Sequence, residues 1–523
     1  MTQSEEPFMR SLFDTPLETV VDHWWARIDG ASKKALFATL IVSVLAFGFE
    51  MTNLTLHHDD VIHFFIEDTI LGHYLGRPGF GWLHFYTQNH YVMPFLQLAE
   101  GLLLTAIYGV IVARFWGVTK ATDIALVASI MCVFPYMAHV YQYNTSMAPF
   151  PAAHLLAALA VICSVRGRVG YIAASALLYV GAFSIYQAVA ANAATILAIW
   201  FVARLVFDEK DPNAAPSRLL KSGGSALISV IIGGAIYLWM VSAMHLAPDT
   251  IHSSEEAFHL HDALDFTHSL PEVWNDTRSF FRWPENYFPD YLKELQLALI
   301  GAGALVCWWV PGRLWRKLAA AGLLVVALFA PRALQLLHWK GHFHSLTLTA
   351  YAVLIGGAVM LVNRAARGVV RNASIIVASV LIAGYVLQCN WVSTVNYLNT
   401  LSHLETMTQV LAELRSIPGA RWDGKKVAVV GRYDPPSDYP FRLSAGVATN
   451  FADGTHLAYL ARLMRDEANF VPADETMPEV LEYAATHPIW PEPGSVGIVD
   501  GMGVVVFAHT QTAPAEGATP GLR

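Results

Sequence analysis

The sequence predicts an α-helical polytopic membrane protein of about eleven transmembrane helices, with a small C-terminal α/β domain on the external side. Three observations predict it. Of 523 residues, 55% are apolar and only 14% charged, with a mean hydropathy of +0.42, whereas soluble globular chains carry about 25% charge. Apolar runs of the length that a bilayer requires recur along the chain. Lysine and arginine gather in alternate connections, as cytoplasmic loops demand. The same composition excludes a disordered scaffold. The formal charge of −8 and isoelectric point near 6.2 exclude the basic footprint of a nucleic-acid partner.

Residues 1–34 have no early apolar core and no small-residue cleavage site, so they do not read as a secretory signal. Leu17, Val20, Val21, Trp24 and Trp25 recur at helical spacing, which predicts an amphipathic helix on the cytoplasmic interface. The apolar runs then fall near 35–56, 94–113, 121–140, 148–165, 169–185, 186–206, 223–244, 295–310, 314–330, 345–362 and 372–392. Between 169 and 206 only Tyr186 and Gln187 separate two runs, which leaves almost no loop.

With the N-terminus inside, cytoplasmic segments hold eighteen lysines and arginines and the opposite loops hold six, the other nine lying in the C-terminal tail. An odd number of spans puts that tail outside. The outer face then comprises loop 57–93, loop 245–294 and the tail from about 393. The four cysteines, Cys132, Cys163, Cys307 and Cys389, each sit in an apolar run and read as small buried hydrophobes.

In the tail, 401–419 reads as an amphipathic helix stopped at Pro-Gly. KKVAVVG (425–431) reads as a buried strand, 455–467 and 478–487 as helices, and 496–509 as a closing hairpin. No GxGxxG or Walker pattern occurs, so no nucleotide site or nucleotide cofactor is expected.

Loop 57–93 carries Asp59, Asp60, Glu67, Asp68 and, within GRPG, Arg77. An acidic pair beside a bilayer is costly unless a cation or proton meets it. Two readings compete. The charges are solvated markers of a span end, or one carboxylate is a general base on an acceptor hydroxyl while a second holds a divalent cation against a phosphate leaving group. In the second reading Arg77 clamps phosphate oxygens. His57 and His58 precede the pair. Adjacent histidines cannot share one helical face, so polar lining or hydrogen bonding to sugar and phosphate outweighs a zinc site.

Loop 245–294 alternates aromatic and charged residues, as sugar recognition does and as an interfacial belt also does. Segment 332–345 offers Arg332, Lys340, His342 and His344 to a lipid phosphate.

The stretch LTLHHDD…GHYLGRPG, with PFPAAHLLAAL (149–159) and SIYQA (184–188), resembles the C-type glycosyltransferase superfamily. More narrowly it looks like bacterial O-antigen-modifying glucosyltransferases. The resemblance implies an inner-membrane enzyme that moves glucose from a polyprenyl-phosphate donor to a lipopolysaccharide or other cell-envelope glycan, with inversion. It places Asp59 and Asp60 as catalytic or metal-associated carboxylates, with Mg2+ or Mn2+ as the candidate ion. Arg77 falls near the donor phosphate, and Tyr186 and Gln187 line the cavity. The histidines ahead of the pair depart from the family pattern, where an Asn-like residue is more usual, and leave open which Asp is the base. Glu67 and Asp68 compete for the role.

A transporter or flippase of lipid-linked sugars is the rival reading. It predicts polar residues at mid-span and broken helices in two related halves. Glu100, Pro135 and Asn192 are scattered, and no repeat is present. A third reading, an assembly subunit of an envelope polysaccharide machine, would not need the outer acidic and aromatic clustering.

Overall fold

A backbone in hydrocarbon satisfies its N–H and C=O groups only within a helix or a closed barrel, and each apolar run folds accordingly as helix. The computed structural model of the protein describes residues 17–57, 60–61, 65, 76–88, 93–244, 265–282, 288–337, 343, 345–418, 425–433, 454–464, 466 and 468–509.

The amphipathic N-terminal stretch is helix α1 (Leu17–Arg27). The first apolar run is α2 (Gly30–Thr52), capped by Asp29, whose Oδ1 accepts from the backbone N–H of Ala31 and Ser32. The hydrogen bonds from Ser32 hold the Asp29 carboxyl below the usual carboxylate range. After α3 (Pro78–Gln88) come α4 (Pro94–Phe115) and the pair α5 (Ala121–Val133) and α6 (Pro135–Tyr141). Pro135 explains the division: it lacks an N–H and forces Phe134 out of helical geometry, to φ −56° and ψ 129°. The two pieces are bent by 52°.

The bundle continues through α7 (Pro149–Ser164), α8 (Val169–Ile185), α9 (Val189–Phe207), α10 (Pro216–Ala243), α11 (Phe266–Arg282), α12 (Asp290–Trp309), α13 (Leu314–Phe329) and α14 (Ala350–Ala365). The three residues Tyr186–Ala188 suffice to turn α8 into α9. Among the described residues, nine helical stretches are long and apolar enough to cross a membrane, and the bent pair makes up to ten. The apolar helix α8, of 17 residues, accounts for the remaining run. The chain is a membrane protein.

Helix α14 forms the middle of the bundle, with every residue from Ala350 to Asn363 buried. By contrast α10 turns Leu220, Leu227, Ile231 and Trp239 outward, an apolar surface that suits lipid. At the arginine-rich end, charged side chains expected to mark loops tie helices together. Arg371 grips both oxygens of Asp123 at 2.8 and 2.9 Å, and Arg364 reaches Asp208 at 3.3 Å.

The last span corrects the expected tail. Helix α15 runs unbroken over Gly368–Ser416, 49 residues, so the amphipathic helix expected at 401–419 is its far part. Nothing between 392 and 417 stops a helix, and Pro418 is the first residue that does. At 1.5 Å per residue α15 is about 70 Å long, more than twice a bilayer core. Beyond it, β1 (Lys426–Val430), α16 (Gly454–Leu463), β2 (Asn469–Pro472), α17 (Pro478–Thr486), β3 (Val496–Val499) and β4 (Met502–Val506) build a four-stranded sheet in the order β2-β1-β4-β3. β1 pairs parallel with both neighbours, and β3 with β4 antiparallel. Covered on both faces, β1 is apolar throughout Val427–Val430. The sequence reading had not anticipated β2.

Candidate active site

The first cluster forms where α2 ends. Asn53 closes the helix, and the chain turns back through Thr55, Leu56 and His57, all buried. Asp60 is fully buried. Its backbone N–H donates to the His57 carbonyl at 3.0 Å, and its Oδ2 accepts from the His57 N–H at 2.9 Å. This is the back half of a capping box, and it fixes the carboxylate locally.

A residue far along the chain completes the fixation. The side-chain amide of Asn144 donates to Asp60 Oδ2 at 2.8 Å and to the Thr55 carbonyl at 2.8 Å. Asn144 sits in the short turn Asn144–Ser146 after α6. The bend at Pro135 therefore brings this turn to the carboxylate. Tyr143 packs its ring on His57 at 3.8 Å. From behind, Leu56 and Val61 enter the core formed by Met407, Val410, Val427, Leu457 and Phe507. The Asp60 turn is thus held between the bundle and the C-terminal sheet unit.

The second cluster gathers around Arg77. Its Nε donates to Gln187 Oε1 at 3.1 Å. Gln187 Nε2 in turn donates to Tyr237 Oη at 2.6 Å, and that hydroxyl donates to the Gly76 carbonyl at 2.8 Å. The guanidinium lies over Tyr186 and Phe150, 5.4 and 5.9 Å from their centroids. Those two rings stack on each other at 3.9 Å. Gly79 lets α3 approach this close: a Cβ there would collide with Ser184. No carboxylate among the described residues neutralises Arg77. It keeps donors in a fork suited to phosphate oxygens.

Asp60 and Arg77 form no ion pair. They are linked by one segment: Asn144 holds the carboxylate, and Phe150, six residues on, holds the guanidinium. Even fully extended, six residues span about 20 Å. Tyr186 and Gln187, read from the sequence as cavity-lining, join Arg77. Asp59, His58, Glu67, Asp68, Lys340 and His342 lie outside the described residues.

Asn144, Phe150, Tyr237 and Glu50 were missed by sequence reasoning. The polar triplet Asn144–Ser146 between two apolar runs, and a lone glutamate at the end of the first, were the available signals.

Among the described residues no three His, Cys, Asp or Glu side chains come together as a metal site. Asp60 Oδ2 accepts from two N–H groups, and Asp59, the other carboxylate expected at a divalent cation, lies outside the described residues.

No curated relative matches the chain. The family signature described as Glucosyl transferase GtrII matches residues 48–363, a stretch that contains both clusters and ends before α15. The match covers more than half of the chain and agrees with the family expected from the motifs. The chain belongs to the GtrII glucosyl transferase family.

Proposed function

We propose that the protein transfers glucose from a polyprenyl-phosphate donor to a cell-envelope glycan, with inversion, on the external face of the bacterial inner membrane. The observation that carries this reading is a buried, hydrogen-bonded carboxylate together with a guanidinium that no carboxylate among the described residues neutralises. The two ends of the single segment 144–150 hold them. The alternation of lysine and arginine supports an inside N-terminus and a periplasmic C-terminal unit.

In this reading Asp60 takes the proton from the acceptor hydroxyl as its oxygen attacks the anomeric carbon. The bond from that carbon to the phosphate oxygen breaks, and polyprenyl phosphate leaves with the electron pair. Arg77 meets the charge that develops on the phosphate. The donor lipid lies along the outward-facing apolar helices, so no nucleotide site is needed. Asp60 is fully buried in the structure, so transfer requires that the acceptor hydroxyl gain access to its carboxylate.

The test is transfer by the purified protein in nanodiscs, with O-antigen polysaccharide as acceptor. Polyprenyl phosphoglucose should support transfer, UDP-glucose should not, and the product should have the anomeric configuration opposite to the donor. Transfer from UDP-glucose, or retained configuration, overturns the reading.

A further inference from the structure

Glu50 is the one acidic residue of α2, and it is 2% exposed. A carboxylate inside a membrane helix is expensive to bury and is retained where it has work to do. The proposed chemistry does not use it, because Asp60 already supplies the base.

Its surroundings suggest another task. The Thr55 hydroxyl donates to Glu50 Oε1. The amide N–H next in the chain, that of Leu56, donates to Thr400 Oγ1 at 3.0 Å. Thr55 is therefore pinned on both sides. Its carbonyl is one of two acceptors for Asn144 Nδ2, the other being Asp60 Oδ2. The two hydrogens of a planar amide point in fixed directions. A shift of the Thr55 carbonyl thus turns the Asn144 amide and takes the second hydrogen off line from the carboxylate.

We infer that Glu50 is a positioning residue for glucose transfer, acting on Asp60 through Thr55 and Asn144. Glu50 fixes Thr55, Thr55 orients Asn144, and Asn144 aims the carboxylate at the acceptor hydroxyl. The inference rests on the reading of Asp60 as the base.

The experiment measures steady-state transfer from polyprenyl phosphoglucose in nanodiscs, normalised to folded protein. Misplacement of a catalytic group by about 1 Å costs on the order of 100-fold. Glu50→Ala should lower kcat roughly 10- to 100-fold while the donor KM stays within about threefold. Glu50→Gln keeps an acceptor for the Thr55 hydroxyl and should recover most of the lost rate. Thr55→Val should match Glu50→Ala, and the double variant should be no slower than the slower single one, since both cut the same chain.

Full activity of Glu50→Ala overturns the inference. So do losses of Glu50→Ala and Thr55→Val that multiply, or a loss that disappears on normalisation. Asp60→Asn, run alongside, separates the failures. If it transfers at the normal rate, the base assignment falls. If it is inactive while Glu50→Ala is fully active, only the role of Glu50 falls.

Discussion

Asn144 Nδ2 stands 2.8 Å from Asp60 Oδ2, although 84 residues separate the two in sequence. The contact exists because Pro135 breaks the third apolar run and redirects the chain toward the end of α2. Asn144→Ala removes one of the two N–H donors to that oxygen, and should lower kcat by roughly 10- to 100-fold. Asn144→Asp sets a second carboxylate against the first and should be slower still. Transfer kinetics on the folded fraction check both.

Among the described residues no carboxylate neutralises Arg77, and its hydrogen-bond partner Gln187 is neutral. Gln187→Glu would hand the guanidinium a carboxylate at hydrogen-bond distance. It should raise the donor KM more than Gln187→Ala does, even though it preserves the Nε contact. Arg77→Lys loses the planar fork and the packing on Tyr186 and Phe150, and should raise the donor KM about tenfold. Equal KM values for Gln187→Glu and wild type would argue against phosphate binding at this guanidinium.

Gly79 of α3 lies against Ser184 of α8. Gly79→Ala forces its Cβ against Ser184 and moves Arg77 with the start of α3. A cost of about 1–3 kcal/mol is expected from such overpacking, seen as a lower thermal midpoint together with weaker donor binding. Ser184→Gly in the same chain should restore part of both, because it removes the nearest atoms.

At the arginine-rich end, Arg371 reaches both oxygens of Asp123. Arg371→Leu leaves a buried carboxylate without this partner and should cost roughly 3 kcal/mol. Replacing Asp123 and Arg371 together by leucine should recover much of that loss. Thermal unfolding in detergent measures the difference, and the donor KM should not change.

The helices were legible because a bilayer demands long apolar runs, and each such run became helical, the third in two pieces. The sequence pointed to Asp60 and Arg77 because charges are rare in such a chain, and to Tyr186 and Gln187 through the family resemblance. Asn144 and Tyr237 were hidden for the same physical reason from the other side. Asn144 sits in a short polar turn and Tyr237 inside α10, and the role of each depends on a bend or a packing angle that periodicity does not encode. Glu50 stands inside the first apolar run as a visible charge, but its contact with Thr55 depends on a turn that periodicity does not encode. The continuation of α15 past 400 was legible in principle, since no Gly or Pro interrupts 393–416, but the change from apolar to polar composition at 393 suggested a break.

The most direct measurement is the single-turnover rate of glucose transfer from polyprenyl phosphoglucose by the Asp60→Asn protein in nanodiscs, beside wild type at equal folded amount. Asn keeps the shape and can still accept from Asn144 and His57, but it cannot take a proton. Donor binding should persist while transfer falls by about 100-fold or more. A rate within twofold of wild type would contradict it.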